Sequence, residues 1–182
     1  MRGGGVKKKD SYMKFKTLAT ESLINSFSEG FTVNRGATIL GKSFLKIPIY
    51  IYLNDKDGSI DLDVVKAYNE FFVNIDKTIE KNLDLILEAV KLDAQGASDK
   101  RPLTAQDLRK NFNKLTSCFV RRDRLPRIGN IPGGEHIIAH CSLEWLWDLK
   151  SGYNDERFDA EHGNGLAMID GKFVMGKPGD FY

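Results

Sequence analysis

The most regular pattern of apolar and polar positions in this chain predicts an amphipathic helix over residues 61–92. Apolar side chains recur there in steps of three and four residues, and charged side chains fall between them, as is typical of a helix with one buried face. Asp61 is suited to cap the helix, and Asp63 suits the positive end of its dipole. The apolar positions are Tyr68, Phe72, Ile75, Ile79, Leu83, Ile86 and Val90. We therefore expect a long helix packed on the core.

A second, shorter helix is predicted over residues 104–118. Thr104, with Asp107 three residues later, forms the pattern of a capping box. The buried stripe of this helix would consist of Leu108, Phe112 and Leu115. Residues 121–127 then predict a short basic loop. Its arginines could contact a phosphate or an acidic partner, or the loop could be a solvated connector, since Asp123 and Pro126 interrupt it.

Strands are predicted where β-branched and aromatic residues cluster, at 31–33, 38–40 and 44–53. Residues 10–30 fit either a helix or a pair of short strands. From 137 to 148 apolar and polar residues alternate, which indicates a half-buried antiparallel strand. Near the C-terminus Asp170-Gly171 predicts a two-residue hairpin turn that pairs Met168 with Phe173 and Leu166 with Met175.

Together these elements predict an α+β fold, in which an antiparallel sheet carries both helices and ends in a C-terminal hairpin. We expect a disordered basic tail over residues 1–10 and a single domain over 11–182. The net charge of +2 does not demand a polyanionic partner. The absence of a long apolar run and the presence of only two cysteines predict a cytoplasmic protein without a membrane partner.

His136 and His140 precede Cys141 and follow Glu135, which invites interpretation as a metal site. On a helix the two histidines would share one face. On the predicted strand they lie ~13 Å apart at ~3.3 Å per residue, too far for one ion to bridge. We therefore predict no metal or other cofactor, and two outward-facing histidines.

Residues 159–166 combine carboxylates, an imidazole and two glycines. Asp159, Glu161 and His162 are weak candidates for general acid–base catalysis, because histidine titrates near neutrality and a carboxylate can orient it. The segment holds no nucleophilic serine, threonine or cysteine, and its glycines precede a strand, unlike those of a dinucleotide-binding loop. The alternative is a turn in which Gly163 and Gly165 serve the backbone.

The Asp-x-Glu-His-Gly-x-Gly-hydrophobic pattern of 159–166, between a tryptophan-bearing strand and a short hairpin, resembles a family of uncharacterised bacterial domains. The family pattern has tryptophan where Phe158 stands and a hydrophobic residue where Asn164 stands. Its strands followed by a long helix are similar to residues 44–53 and 64–90. The resemblance implies an α+β fold and a bacterial lineage that includes immunity and stress-associated proteins, without implying a mechanism.

An aromatic group surrounds the predicted loop at 149–157, and aromatic and arginine side chains are enriched at protein interfaces. It consists of Trp145, Trp147, Tyr153, Arg157 and Phe158. The alternative is that both tryptophans belong to the core. We expect a non-enzymatic protein-binding domain. The alternatives are a small hydrolase or metal-dependent enzyme using Asp159, Glu161 and His162, and a weak nucleic-acid binder using residues 121–127.

Overall fold

The computed structural model describes residues 24–27, 30–53, 61–93, 103–146 and 164–181. Within these ranges seven strands form one sheet in chain order, accompanied by four α-helices, which confirms the α+β class. The strands are β1 (Ile24–Phe27), β2 (Gly30–Ile39), β3 (Lys42–Tyr52), β4 (Phe112–Leu125), β5 (Gly134–Trp145), β6 (Asn164–Ile169) and β7 (Lys172–Gly176). The helices are α1 (Leu62–Phe72), α2 (Ile75–Lys81), α3 (Leu83–Asp93) and α4 (Ala105–Asn111). The predicted tail at 1–10 lies outside the described residues.

The sheet is mixed rather than antiparallel throughout. All neighbouring strands are antiparallel except β3 and β4, where Ile49–Ile51 run parallel to Cys118–Val120. The helices lie between these two strands in the chain and return it to the same end of the sheet, as a parallel pair requires. Within this connection α1 packs against β4 and β5.

The predicted long helix is divided into three, but its buried stripe is confirmed. All seven apolar positions of that stripe are at most 5% exposed. α1 begins after Asp61, whose carboxylate accepts a hydrogen bond from the Asp63 amide. At the first break the hydroxyl of Thr78 donates to the Phe71 carbonyl and the Arg35 guanidinium donates to the Val73 carbonyl. These bonds satisfy acceptors that the helix end leaves without an intrahelical donor.

The second predicted helix is shorter than expected. Thr104 and Asp107 form the capping box, yet α4 ends at Asn111, and the chain continues as strand β4. Phe112 and Leu115, assigned to the helix by their spacing, are buried on the strand instead. Pairing with β5 along most of the length of β4 outweighs the local helical pattern. The prediction of a loop at 121–125 is therefore wrong.

The C-terminal hairpin is confirmed in turn and register. Ile169 pairs with Lys172, Met168 with Phe173, and Leu166 with Met175. Asp170 and Gly171 have φ values of 47° and 82°, which a two-residue hairpin turn of this kind requires. Beyond β7 the chain makes a 3₁₀ turn (Pro178–Phe181).

Both faces of the sheet carry buried apolar side chains. The main core lies between the helices and one face, which includes Ile137, Ala139, Cys141, Leu143 and Trp145 of β5. A smaller cluster on the other face includes Phe119, Ile138, Ala167 and Phe181. Across the described part of the chain, none of the helices is long and apolar enough to cross a membrane.

Candidate functional site: a charged groove beside α1

His136 is buried, not outward-facing as predicted, and it joins the start of β5 to the hairpin turn. Its Nδ1 lies 2.7 Å from Oδ2 of Asp170, and its Nε2 lies 2.9 Å from the Pro132 carbonyl oxygen. Because both partners are acceptors, both ring nitrogens donate in the imidazolium form. The hydrogen bond to the Asp170 carboxylate raises the pKa of His136 above 6.5. His136 thus clamps the start of β5 to the hairpin turn, and its surroundings favour the protonated ring.

The Asp170 carboxylate is held from two sides. Its Oδ1 accepts the Ile137 amide at 2.9 Å, while Oδ2 faces His136. Partial burial alone would raise the pKa of this carboxyl, but the hydrogen bonds from His136 and Ile137 outweigh it and lower the pKa below 3.8. The hairpin turn is therefore tied to β5 by charge as well as by backbone pairing.

His140 is also buried, contrary to the prediction, but its surroundings favour the neutral ring. Its ring contacts Phe119 and Phe181, with centroid distances of 4.9 and 5.0 Å. Nδ1 donates to the Ser117 carbonyl at 3.0 Å. Burial, assisted by the positive charge of Arg121, lowers the pKa of His140 to about 4, although the carbonyl of Ser117 opposes the shift. The imidazole is therefore neutral near pH 7 and part of the smaller core cluster.

His140 explains the second glycine of the sequence motif. A Cβ at Gly165 would lie 2.7 Å from Nε2 of His140 and 3.0 Å from Cε2 of Phe181. Gly165 is paired with Ser142 on β5 and with Gly176 on β7. The residue is glycine because the histidine and phenylalanine rings occupy the space above the strand.

Arg122, on the helix face of β4, connects α1 to the sheet. Its guanidinium lies 2.6 Å from the Asp61 carboxylate, 3.2 Å from Asp63 and 3.6 Å from Glu135. Burial alone would raise the pKa of the Asp61 carboxyl, but the hydrogen bond and the positive charge of Arg122 outweigh it and lower that pKa. One guanidinium thus orients the carboxylate that caps α1.

A groove with a volume of about 280 Å³ opens between α1 and the hairpin turn. Its floor is apolar and consists of Ala67, Ile137 and Met168, each at most 8% exposed. Its rim is charged, with Asp63, Lys66 and Glu70 from α1, Arg122 from β4 and Asp170 beside Gly171 from the turn. An apolar floor under a charged rim can hold a side chain or small molecule with a hydrocarbon stem and a polar end.

The two thiols lie away from this groove in the main core. Cys118 and Cys141 are free and buried. Burial raises the pKa of the Cys118 thiol to about 12 and that of Cys141 well above its ordinary value. Neither thiol is thiolate at neutral pH, so neither is a nucleophile in the folded protein.

The candidate catalytic residues Asp159, Glu161 and His162 lie outside the described residues, and so do Trp147, Tyr153, Arg157 and Phe158 of the predicted partner surface. Trp145 is described and belongs to the core, where it is 8% exposed. Its indole donates to the Leu108 carbonyl at 3.1 Å. The proposed partner surface at 149–157 stays a prediction. No group of three potential metal-ligating side chains is found among the residues that the structure describes.

Three of the four arginines of the predicted basic loop make contacts within the fold. Arg121 and Arg122 project from opposite faces of β4. Arg121 donates to the Phe181 carbonyl and contacts Asp123 at 2.7 Å, whereas Arg122 contacts carboxylates of α1. Arg127 donates to the Gly129 carbonyl. These contacts hold the fold, and the nucleic-acid hypothesis stays a prediction.

The groove residues were not identified from the sequence. Asp63 was assigned to the helix dipole and Asp170 to a hairpin turn, and both assignments are confirmed, but neither shows that the two residues lie across one groove. The sequence signal that could have pointed to the groove was the concentration of charged residues at 61–70, around the start of α1. No known protein family, characterised protein or solved structure matches this chain significantly, so the resemblance to the bacterial domain family stays a prediction.

Proposed function

We propose that this chain is a non-enzymatic protein-binding domain and that the groove beside α1 is part of its binding surface. The observation that carries the proposal is that the groove is open, whereas the described histidines and thiols are engaged in the fold or buried. His136 and His140 hold the fold through their ring nitrogens, and both thiols are buried. The concave charged groove, in contrast, is a described surface that is open to a ligand.

An immunity-like role is the more specific form of this proposal. It is supported by the resemblance of residues 159–166 to the bacterial domain family, in which the implied partner is a protein toxin. The mixed charges around the groove are consistent with recognition of a charged protein surface, since electrostatic complementarity selects partners and accelerates association.

The test is recovery of a stoichiometric complex. The tagged full chain would be expressed in its native host, and the captured complex would be measured by size-exclusion chromatography with light scattering. We expect a 1:1 complex with one host protein that the Glu70→Lys variant loses. Glu88→Lys is the matched control, because Glu88 is an exposed helical glutamate that also faces a lysine.

Recovery of the chain alone from its host, with no stoichiometric partner, would contradict the proposal. A turnover activity that His162→Ala abolishes while the fold is retained would contradict it as well, because that result would favour the enzymatic alternative.

A further inference from the structure

The floor of the groove is suited to a hydrocarbon chain. Ala67 from α1, Ile137 from β5 and Met168 from β6 supply apolar surface at its base. A small hydrated ion would gain nothing from this surface, whereas the methylene stem of a long side chain would bury against it. The volume of about 280 Å³ leaves room for one such side chain.

The rim of the groove favours a positive charge. Arg122 is already surrounded by the carboxylates of Asp61, Asp63 and Glu135. Lys66 faces Glu70 at 3.9 Å, and the His136 ring faces Asp170 at 2.7 Å. The residues that line the groove comprise three carboxylates, Asp63, Glu70 and Asp170, and two cations, Lys66 and Arg122. The excess of one negative charge disfavours an anionic ligand and favours a cationic one.

We infer that the groove binds a single lysine side chain of a protein partner, an inference that rests on the proposed protein-binding function. The stem would lie on the apolar floor and the ammonium group would reach the rim. The carboxylates come from two different elements, with Asp63 and Glu70 on α1 and Asp170 on the hairpin turn. An ammonium group donates in three directions and suits such a dispersed set, whereas the planar guanidinium of arginine prefers one carboxylate met edge-on.

The test uses three capped peptides of glycine and serine that differ in one central residue: lysine, arginine or norleucine. Binding to the full ¹⁵N-labelled chain would be measured by NMR titration. We expect the lysine peptide to bind at the groove more tightly than either comparator, and added salt to weaken it. Asp63→Asn and Glu70→Gln should each weaken binding by about twofold to fivefold, as expected for loss of one exposed charge pair. Glu88→Gln, on α3, should leave it unchanged.

Equal binding of the lysine and norleucine peptides, or binding that Glu70→Gln leaves intact, would overturn the inference. The two proposals fail separately. A stoichiometric host partner without lysine selectivity at the groove would overturn this inference alone, whereas lysine-selective binding without any stoichiometric host partner would overturn the proposed function alone.

Discussion

The two histidines of β5 lie on one face of the sheet, yet their neighbours shift their pKa values in opposite directions. The neighbours of His136, a carboxylate and a carbonyl, are both acceptors and favour a bound proton. His140 lies between two phenylalanine rings and is neutral, because burial disfavours its charged form. The same residue type therefore serves as a salt-bridge partner at one end of the strand and as a core residue further along it.

The raised pKa of His136 predicts a loss of stability at high pH. The stabilisation is complete below the ordinary pKa of 6.5 and is lost as pH rises through the raised pKa of the folded state. Asp170 acts in the opposite sense, since its contribution is present above 3.8 and is lost as pH falls through its lowered pKa. At pH values between the lowered pKa of Asp170 and the raised pKa of His136, we expect His136→Gln to lower the free energy of unfolding by about 1 kcal/mol. The value is modest because Asp170 is half-exposed.

The measurement is the urea midpoint of wild type and His136→Gln across the pH range. The difference between the two proteins should shrink as pH rises above 6.5. A difference that is constant across this range would show that His136 is not an imidazolium in the folded protein.

Gly165 should tolerate no side chain while His140 and Phe181 stay in place. Gly165→Ala would place a methyl group 2.7 Å from Nε2 of His140, so the packed rings must move. We expect a loss of about 1–3 kcal/mol in the free energy of unfolding, as in other overpacked cores. Gly36→Ala is the control, because a Cβ there would meet its nearest atoms at an ordinary 3.5 Å. Equal effects of the two substitutions in urea unfolding would contradict this role for Gly165.

At the scale of elements, the sequence predicted what local pattern and turn chemistry specify. The register of the C-terminal hairpin and the core face of β5 follow from Asp170-Gly171 and from the alternation along the strand, and both are confirmed. The prediction that β5 is only half-buried is wrong, because its other face is buried as well. The breaks between α1, α2 and α3 were missed because the apolar stripe continues across them. β4 was missed because Leu108, Phe112 and Leu115 keep helical spacing, while the pairing that makes the segment a strand comes from distant residues.

The break between α1 and α2 should depend on the hydroxyl of Thr78. Thr78→Val keeps the shape of the side chain but leaves the Phe71 carbonyl without this donor. We expect the free energy of unfolding to fall by about 1–3 kcal/mol, because a buried acceptor loses its hydrogen bond. Thr38→Val removes a hydroxyl that makes an exposed hydrogen bond to Ser43 and should have little effect. Similar urea midpoints for the two variants would contradict this account of the break.

At the scale of the whole molecule, both faces of the sheet are covered by other parts of the fold. Residues on the face away from the helices are therefore shielded from solvent as well. His140 and Ser142 belong to the face away from the helices and are nevertheless buried. The groove likewise arises from the assembled fold, because its lining comes from α1, β4, β5, β6 and the turn before β7. No local sequence pattern joins these segments, so the site could not be predicted from spacing.

The burial of both thiols predicts that the folded protein resists alkylation. Cys118 and Cys141 should react with iodoacetamide only when the main core opens, because burial raises both pKa values and excludes the reagent. The labelling rate, measured by mass spectrometry, should therefore rise with urea in step with global unfolding. The urea-denatured chain, in which both thiols react, is the control. Rapid labelling of either cysteine without urea would contradict the core assignment.

The central claim is that the groove beside α1 is a binding surface, and the methyl group of Met168 reports on its floor. Met175 lies in the same hairpin and packs on the same core without lining the groove, so it is an internal control. In a ¹³C-methyl-methionine spectrum of the full chain titrated with the lysine peptide, we predict a saturable shift of the Met168 signal and little change at Met175. An unchanged Met168 signal at concentrations where other signals shift would contradict the claim.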